Sequence, residues 1–477
     1  MMQVRGTFRA RGASKLKWLA VLPALLAAVP ALAQRQDPGV HTIADSAAFA
    51  IPGAMPAETP APAGERWSLA RAVAAALESN VDAKAAHART VQAGGSALSA
   101  WSGILPSLDG NLSYNRTKQS STFIESGALI PFVDHREVRS AGLRAQTNVL
   151  DVSAWSEKRR QDLLRRTAQE SEAEARNGVV YDVKQQYFTL VKAERLAEVS
   201  RESERLARDE ESRAEALFEV GTVARGDVLK ARARRATTQL DRIRSVNQVE
   251  IQRSKLKQVI GLKPGTPLSI ESTLEENVVV PDSGQAVATA LRSRPDLSRV
   301  VAAEQAARAG LFGARAKRLP AITGSASVDK ARNKEHLEGE DEVSFHSTEW
   351  FGQARLTLPV FNGFALEGNM KSAKGSVLEA EAERRQRELD VAVEVQQAWL
   401  SLREAVERID VAKEGMASAQ EDYNFSKSRY DLGAGTFLDL LNAEVSLAQT
   451  KQSYVEAVAD AHVAEAALER AVGARRY

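Results

Sequence analysis

A single unit is written twice along this 477-residue chain. The stretch FEVGTVARGDVLKAR (218–232) returns as YDLGAGTFLDLLNAE (430–444), with Gly221 over Gly433, Asp227 over Asp439, Leu229 over Leu441 and Ala231 over Ala443, all at an offset of 212. ALESNVD (76–82) pairs with ALRSRPD (290–296), and ILPSLDGNLS (104–113) with RLPAITGSAS (318–327), at 214. VLDVSA (149–154) pairs with VFNGFA (360–365) at 211, and VIG (259–261) with AVG (471–473) at 212. Near-constant offsets over such a length mean a duplicated domain, and a unit this long is not a solenoid repeat.

Each half carries the same pattern. The spacing predicts an opening helix, about 81–104 and 295–318, then two short strands joined by a polar loop. A very long helix follows, about 152–219 and 364–431. After the Gly break a return helix runs about 225–260 and 436–472, stopped by Gly261 and Gly473. In the second half Val395, Trp399, Leu402, Val406, Ile409, Ala412, Met416, Ala419 and Tyr423 form a seam with steps of three and four, which is coiled-coil spacing. Val183, Tyr187, Leu190 and Ala197 are the matching seam of the first half; Leu229, Ala233, Ala236, Leu240 and Ile243 are the expected seam of its return helix. At 1.5 Å per residue the long helix is about 100 Å, the return helix roughly 55 Å and the opening helix roughly 36 Å. The two shorter helices stacked end to end nearly equal the long one.

The start of the chain bears on its compartment. Arg5, Arg9, Arg11, Lys15 and Lys17 precede the apolar run WLAVLPALLAAVPALA, which ends in the small-residue site Ala31-Leu32-Ala33. This is a cleaved secretory signal over 1–33, followed by a Pro/Ala-rich extended lead-in over 34–66. The chain has 64 Lys+Arg against 62 Asp+Glu; without the signal, which holds five bases and no acid, the balance is 59 against 62. The apparent basicity belongs to the signal, so nucleic-acid binding gains no support. Cysteine is absent, which excludes disulfides, thiolate metal ligands and thiol catalysis. No later stretch is apolar enough for a transmembrane helix, which leaves a periplasmic or extracellular chain or a β-barrel.

Four strand candidates alternate with period two. Leu108, Leu112 and Tyr114 oppose Asp109 and Asn111; Leu143 opposes Arg144 and Gln146; Ile322 and Val328 oppose Thr323 and Asp329; Leu356 and Leu358 oppose Gln353 and Arg355. Such alternation suits a barrel, apolar to lipid and polar to lumen, and equally a half-buried soluble sheet. Four strands cannot close a barrel alone, so a barrel needs several chains.

The order of these features resembles the TolC-like outer-membrane efflux proteins over about Trp67 to Gly473. The resemblance rests on the signal, the twofold repeat, a strand pair in each repeat, LTLPVFNG (356–363) before a long helix, and the LGAGTFLDLLNAE turn. It implies a mainly α fold with a small β part: a first repeat over 67–262, a linker over 263–285 and a second repeat over 286–477. Strands are expected at about 107–116, 139–150, 320–330 and 346–360, and helical hairpins at about 152–260 and 364–472. It also implies a homotrimer sharing a 12-stranded barrel in outer-membrane lipid above a periplasmic helical tunnel. The function implied is the exit duct of a tripartite pump or type I secretion system. Its partners would be a periplasmic adaptor (membrane fusion) protein and an inner-membrane pump of RND, ABC or MFS type.

By the same resemblance, Val220, Gly221, Leu432 and Gly433 are hairpin tips that touch the adaptor, and Asp227 and Asp439 are gate residues able to form a cation ring. Both acids also suit the first turn of a helix, where the dipole favours them. Lys230 and Asn442 stand where some members carry a second acid, and Val223 and Gly435 where some carry Arg. No HxxxH, phosphate loop or GxSxG is present, so no catalytic site, cofactor or metal is expected. The acidic loop HLEGEDE (336–342), with His346 nearby, reads as a solvated loop. A periplasmic adaptor or a structural coiled coil is the alternative; the first predicts one hairpin with β-rich flanking domains, the second no strand pairs inside the repeats.

Overall fold

The computed structural model describes residues 66–125, 128–337 and 343–473; the expected signal peptide and the lead-in up to residue 65 lie outside the described residues. All described residues belong to one unit, Ala61–Tyr477. Its first half runs α1 (Leu69–Ser79), α2 (Val81–Ser99), β1 (Ser107–Glu125), β2 (Ala128–Leu150), α3 (Val152–Glu219) and α4 (Arg225–Ile260). The second half repeats the order: α5 (Ser283–Ser293), α6 (Pro295–Ala316), β3 (Ala321–Leu337), β4 (Val343–Thr357), α7 (Ala365–Asp431) and α8 (Phe437–Val472).

Local chemistry sets the boundaries. Asp151 caps α3, its carboxylate accepting from the backbone N–H groups of Ser153 at 2.8 Å and Ala154 at 3.2 Å. Gly261 and Gly473 end α4 and α8 in the left-handed region, φ 85° and 72°. A shorter helix, α1 or α5, precedes the expected opening helix of each half, and a break at Asn80 and at Arg294 separates the two. The spacing already starts the opening helices just past both breaks, at 81 and 295, and leaves only α1 and α5 unread.

Those breaks are joints. The Asn80 Oδ1 accepts from Asp82 N and Ala83 N, capping α2, while its Nδ2 donates to Val259 O at the end of α4. In the second half the Arg294 guanidinium donates to Ala471 O at the end of α8 and to Asp296 in the first turn of α6. So α4 abuts α2, and α8 abuts α6, as the length argument predicts. Neighbouring elements then run α2–α3–α6–α7 beside the strands and α4–α3–α8–α7 beyond the joints. The four strands pair antiparallel in the order β1-β2-β3-β4, the same sequence as the helices they join.

Packing is seam by seam. Val183, Tyr187, Leu190 and Val191 of α3 meet Leu256 and Ile260 of α4 and Ala72 and Ala76 of α1. Leu190, Leu256 and Ile260 are fully buried, each contributing about 2 kcal/mol. Tyr187 and Trp399, 212 positions apart, hold equivalent crossing segments: Tyr187 Oη donates to Trp67 O and Glu271 O, and Trp399 Nε1 to Pro281 O at 2.7 Å.

One seam is corrected. Leu229, Ala233, Ala236, Leu240 and Ile243 of α4 are exposed, and the buried face is Val228, Ala231, Thr238, Val249, Gln252, Leu256 and Ile260. The helix carries two stripes, and α3 covers the one with the shorter side chains near the tip. The strands are also longer than their alternation, at 19, 23, 17 and 15 residues. Beyond the alternating part both faces turn polar, as in RTKQ (116–119) and KARNKE (330–335), so period two fades while the hydrogen-bonded ladder continues.

Candidate functional site

The sheet places the alternating residues on two faces. Leu108, Leu112 and Tyr114 stand opposite Ala145, Ala141 and Arg139; Leu143 stands opposite Val328, and Ile322 opposite Leu356. The Arg139 guanidinium lies 5.4 Å from the centre of the Tyr114 ring, as a shared face requires. On the other face Asp109 stands opposite Arg144, Gln146 opposite Ser325, Thr323 opposite Arg355, and Ser113 Oγ lies 2.7 Å from Ser140 Oγ. Asn111 and Asp329 converge over Gly142, where a Cβ would come within 2.7 Å and 2.0 Å of their oxygens; no side chain fits there. Gln353 shares this face, and Leu358 falls one residue past the end of β4. A register shift between Asn148 and Leu150 ends the regular ladder beside α3.

No helix covers either face. Leu112 is 84% exposed, Trp350 80% and Leu356 67%. Trp350, opposite Val328, extends the apolar face and was missed because the strand pattern in SFHSTEWF is irregular. Both edges, β1 and β4, are unpaired within the chain. A sheet this apolar on one side, with open edges, exposes both apolar surface and unpaired strand edges.

At the far end of the helices sit the two Gly turns. In the first, Thr222 N donates to Leu217 O and Gly221 N to Phe218 O; in the second, Ala434 N donates to Arg429 O and Gly433 N to Tyr430 O. Both are Schellman motifs with a left-handed glycine, φ 77° at Gly221 and 67° at Gly433. Val220 and Leu432, at the helix ends, are 72% and 84% exposed.

The two acids differ in local role. Asp439 forms a capping box with Thr436: its carboxylate accepts from Thr436 N, and the Thr436 hydroxyl accepts from Asp439 N, both at 3.2 Å. Those bonds hold its carboxyl below the usual range. Asp227 pairs with Lys230 at 3.2 Å, and Ala224 at the cap of α4 has no side-chain oxygen to offer.

The hairpins meet behind these tips. Ala214, Val228 and Ala231 pack on Tyr423, Tyr430, Phe437, Leu440, Ala443 and Leu447. Arg213 pairs with Asp431 at 2.7 Å and Arg234 with Glu444 at 3.2 Å across this contact. Glu210 and Glu444 are buried, and desolvation pushes both carboxyls up against their arginine neighbours. Burial, with Glu210 and Glu444 nearby, pushes the Tyr423 phenol up to about 12. Glu210 escaped the sequence reading because ARDEES looks like any solvated helix face. Residues 338–342 of the acidic loop lie outside the described residues, and no three His, Asp or Glu among the described residues are placed to hold a metal.

A family model described as outer membrane efflux protein matches residues 72–262 and again 286–474. Nodulation protein T of Rhizobium leguminosarum bv. trifolii is 28% identical over 267 residues, covering 54% of each chain. The toluene efflux pump outer membrane protein TtgF of Pseudomonas putida is 26% identical over 238 residues, 50% of this chain and 48% of that one. The chain thus spans about half the length of the curated relatives it matches. The solved Campylobacter jejuni CmeC outer membrane channel superposes with a TM-score of 0.69 at 20% identity, covering 85% of both chains, a likeness of fold.

Proposed function

The chain belongs to the outer membrane efflux protein family, whose place is the bacterial outer membrane, and from that premise we propose that it is the passive exit duct of a tripartite pump or type I secretion system. The observation that carries the reading is the sheet: apolar on one face, polar on the other, bare on both, with two open edges. Three copies joined β4 to β1 make a 12-stranded barrel, above the smallest size known to close in one chain. Leu108, Leu112, Tyr114, Leu143, Ile322, Val328, Leu356 and Leu358 then face lipid. Asp109, Asn111, Arg144, Gln146, Thr323, Asp329, Gln353 and Arg355 line the lumen. The apolar band runs over 108–114, 141–149, 322–328 and 350–358, close to the length a tilted membrane strand needs.

The helix layer supports the same closure. Its two edges also carry bare apolar stripes: Leu240 and Ile243 on α4, Leu389, Val393 and Leu400 on α7. The repeats, 67–262 and 286–477, each supply one periplasmic hairpin. Their tips, Val220-Gly221 and Leu432-Gly433, offer exposed apolar side chains to a periplasmic adaptor, which couples the duct to an inner-membrane transporter of RND, ABC or MFS type. Asp227 and Asp439 at the entrance, copied three times, form the cation-favouring ring. The test is planar-bilayer conductance of the purified protein beside Asp227→Asn/Asp439→Asn. Discrete cation-selective steps that lose selectivity in the variant are expected. Unchanged selectivity removes the gate assignment, and absence of steps from a folded sample removes the channel.

A further inference from the structure

Where the strands join the helices, the chain exposes a band of large aromatic residues. Trp155 at the start of α3 is 58% exposed, Phe312 near the end of α6 56%, and Phe361 and Phe364 before α7 75% and 71%. Trp155 meets Trp101 edge-on at 6.4 Å, and Lys158 Nζ lies 4.8 Å from the centre of the Trp101 ring. Phe364 stands at φ 66°, the one non-glycine among the described residues in the left-handed region. A bulky side chain costs free energy there, yet this strained backbone holds an aromatic ring out of the protein. All four strand–helix joints lie at this level, at one end of the apolar band.

The cations of the same level are unusual. Along the helices Arg and Lys are mostly spent on Glu and Asp, as in Arg232–Glu215 at 2.7 Å or Lys413–Glu276 at 2.6 Å. At the joints Arg160 pairs with Glu157 and Arg318 with Glu367. Arg159, Arg315 and Lys371, all exposed, have no ion pair among the described residues. Lys317 instead lines a groove with Glu157 and Arg160, where the Arg160 hydrogen bond, helped by the Lys317 charge, holds the Glu157 carboxyl below its usual range. Acids are sparse: the turns 308–320 contain none.

We propose that this collar binds the anionic phospholipid headgroups of the membrane leaflet facing the helices, with Trp155, Phe312, Phe361 and Phe364 seated at the headgroup level and Arg159 and Arg315 paired with phosphate. The proposal rests on the barrel reading above. Amphipathic rings prefer the interface between hydrocarbon and water, and each cation near an anionic surface adds an attraction that salt screens. The collar lies at the helix end of the strands, and its unpaired charge is opposite in sign to an acidic headgroup. It fixes the depth of the barrel and selects the lipid around its rim.

The test uses full-length protein already shown to conduct in planar phosphatidylcholine bilayers; a folded sample that does not conduct overturns the barrel reading and the collar with it. The conducting protein, in neutral detergent, is titrated with dioctanoyl phosphatidylglycerol and with dioctanoyl phosphatidylcholine. The expected result is a preference for the anionic lipid on the order of thirtyfold, lost in Arg159→Gln/Arg315→Gln. It is retained in Arg225→Gln/Lys255→Gln, which removes equal charge away from the strand–helix junctions. Equal affinity for both lipids overturns the collar, as does a preference that survives the first variant or falls with the second. Should the first variant not assemble, wild-type protein in about 0.5 M salt decides: a preference that persists there is not electrostatic and overturns the assignment.

Discussion

Asp296 shows how much one carboxylate can organise. Burial opposes its charge, but hydrogen bonds from Arg294 and Arg387 outweigh burial and take its carboxyl down to about 2. An acid with a depressed folded-state pKa contributes stability above its unfolded value, 3.8, and loses it as pH falls toward about 2. After allowance for solvent screening the contribution is on the order of 1 to 2 kcal/mol. Asp296→Asn is therefore expected to lower the urea midpoint at pH 7, with the gap to wild type closing between about pH 4 and pH 2. A gap unchanged at pH 2.5 would show that Asp296 acts through packing alone. None of this was legible in SRPDLSR, where Pro295 signals a helix start but nothing announces that Arg387 arrives from 91 positions away.

At the scale of the element, the glycines separate turn from filler. Gly433 has a left-handed φ and open space around a notional Cβ, so Gly433→Ala costs only backbone strain, about 1–2 kcal/mol. Gly435 has an ordinary φ, but a Cβ there comes within 3.2 Å of Tyr430 N and 3.1 Å of Arg429 Cβ, so Gly435→Ala forces the turn to shift. Gly95, inside α2 with nothing near, is the control: Ala there stabilises by roughly 0.5–1 kcal/mol. Hydrogen exchange at the tips should rise in the first two variants and stay at the wild-type rate in the third. Helix positions and the Gly turns were legible because period and caps are local signals. The bonds that tie Asn80 to Val259 and Arg294 to Ala471 were not, because a side chain that reaches the end of another helix leaves no mark in the hydrophobic pattern.

The whole molecule explains the seam that was misread. Leu229, Ala233, Ala236, Leu240 and Ile243 have the spacing of a packed stripe and no partner in their own chain. Spacing reports that a face is to be covered, and is silent on which copy covers it. The same holds for the strands, whose alternation was legible while their open edges appear only once the sheet order is known. Leu240→Arg/Ile243→Arg is expected to leave helix content unchanged and abolish the oligomer, read by sedimentation in detergent; an intact oligomer would place the contact elsewhere.

Each half of the layer has one unbroken rail, α3 or α7, beside one rail cut at its joint. From the joint to the turn the cut rail runs 36 residues, about 54 Å. Such a rail is a lever with its fulcrum far from the entrance. A rotation of about 5° at Asn80 or Arg294 sweeps the turn by about 5 Å, so a displacement smaller than a side chain near the joint becomes one wider than an ion at the turn.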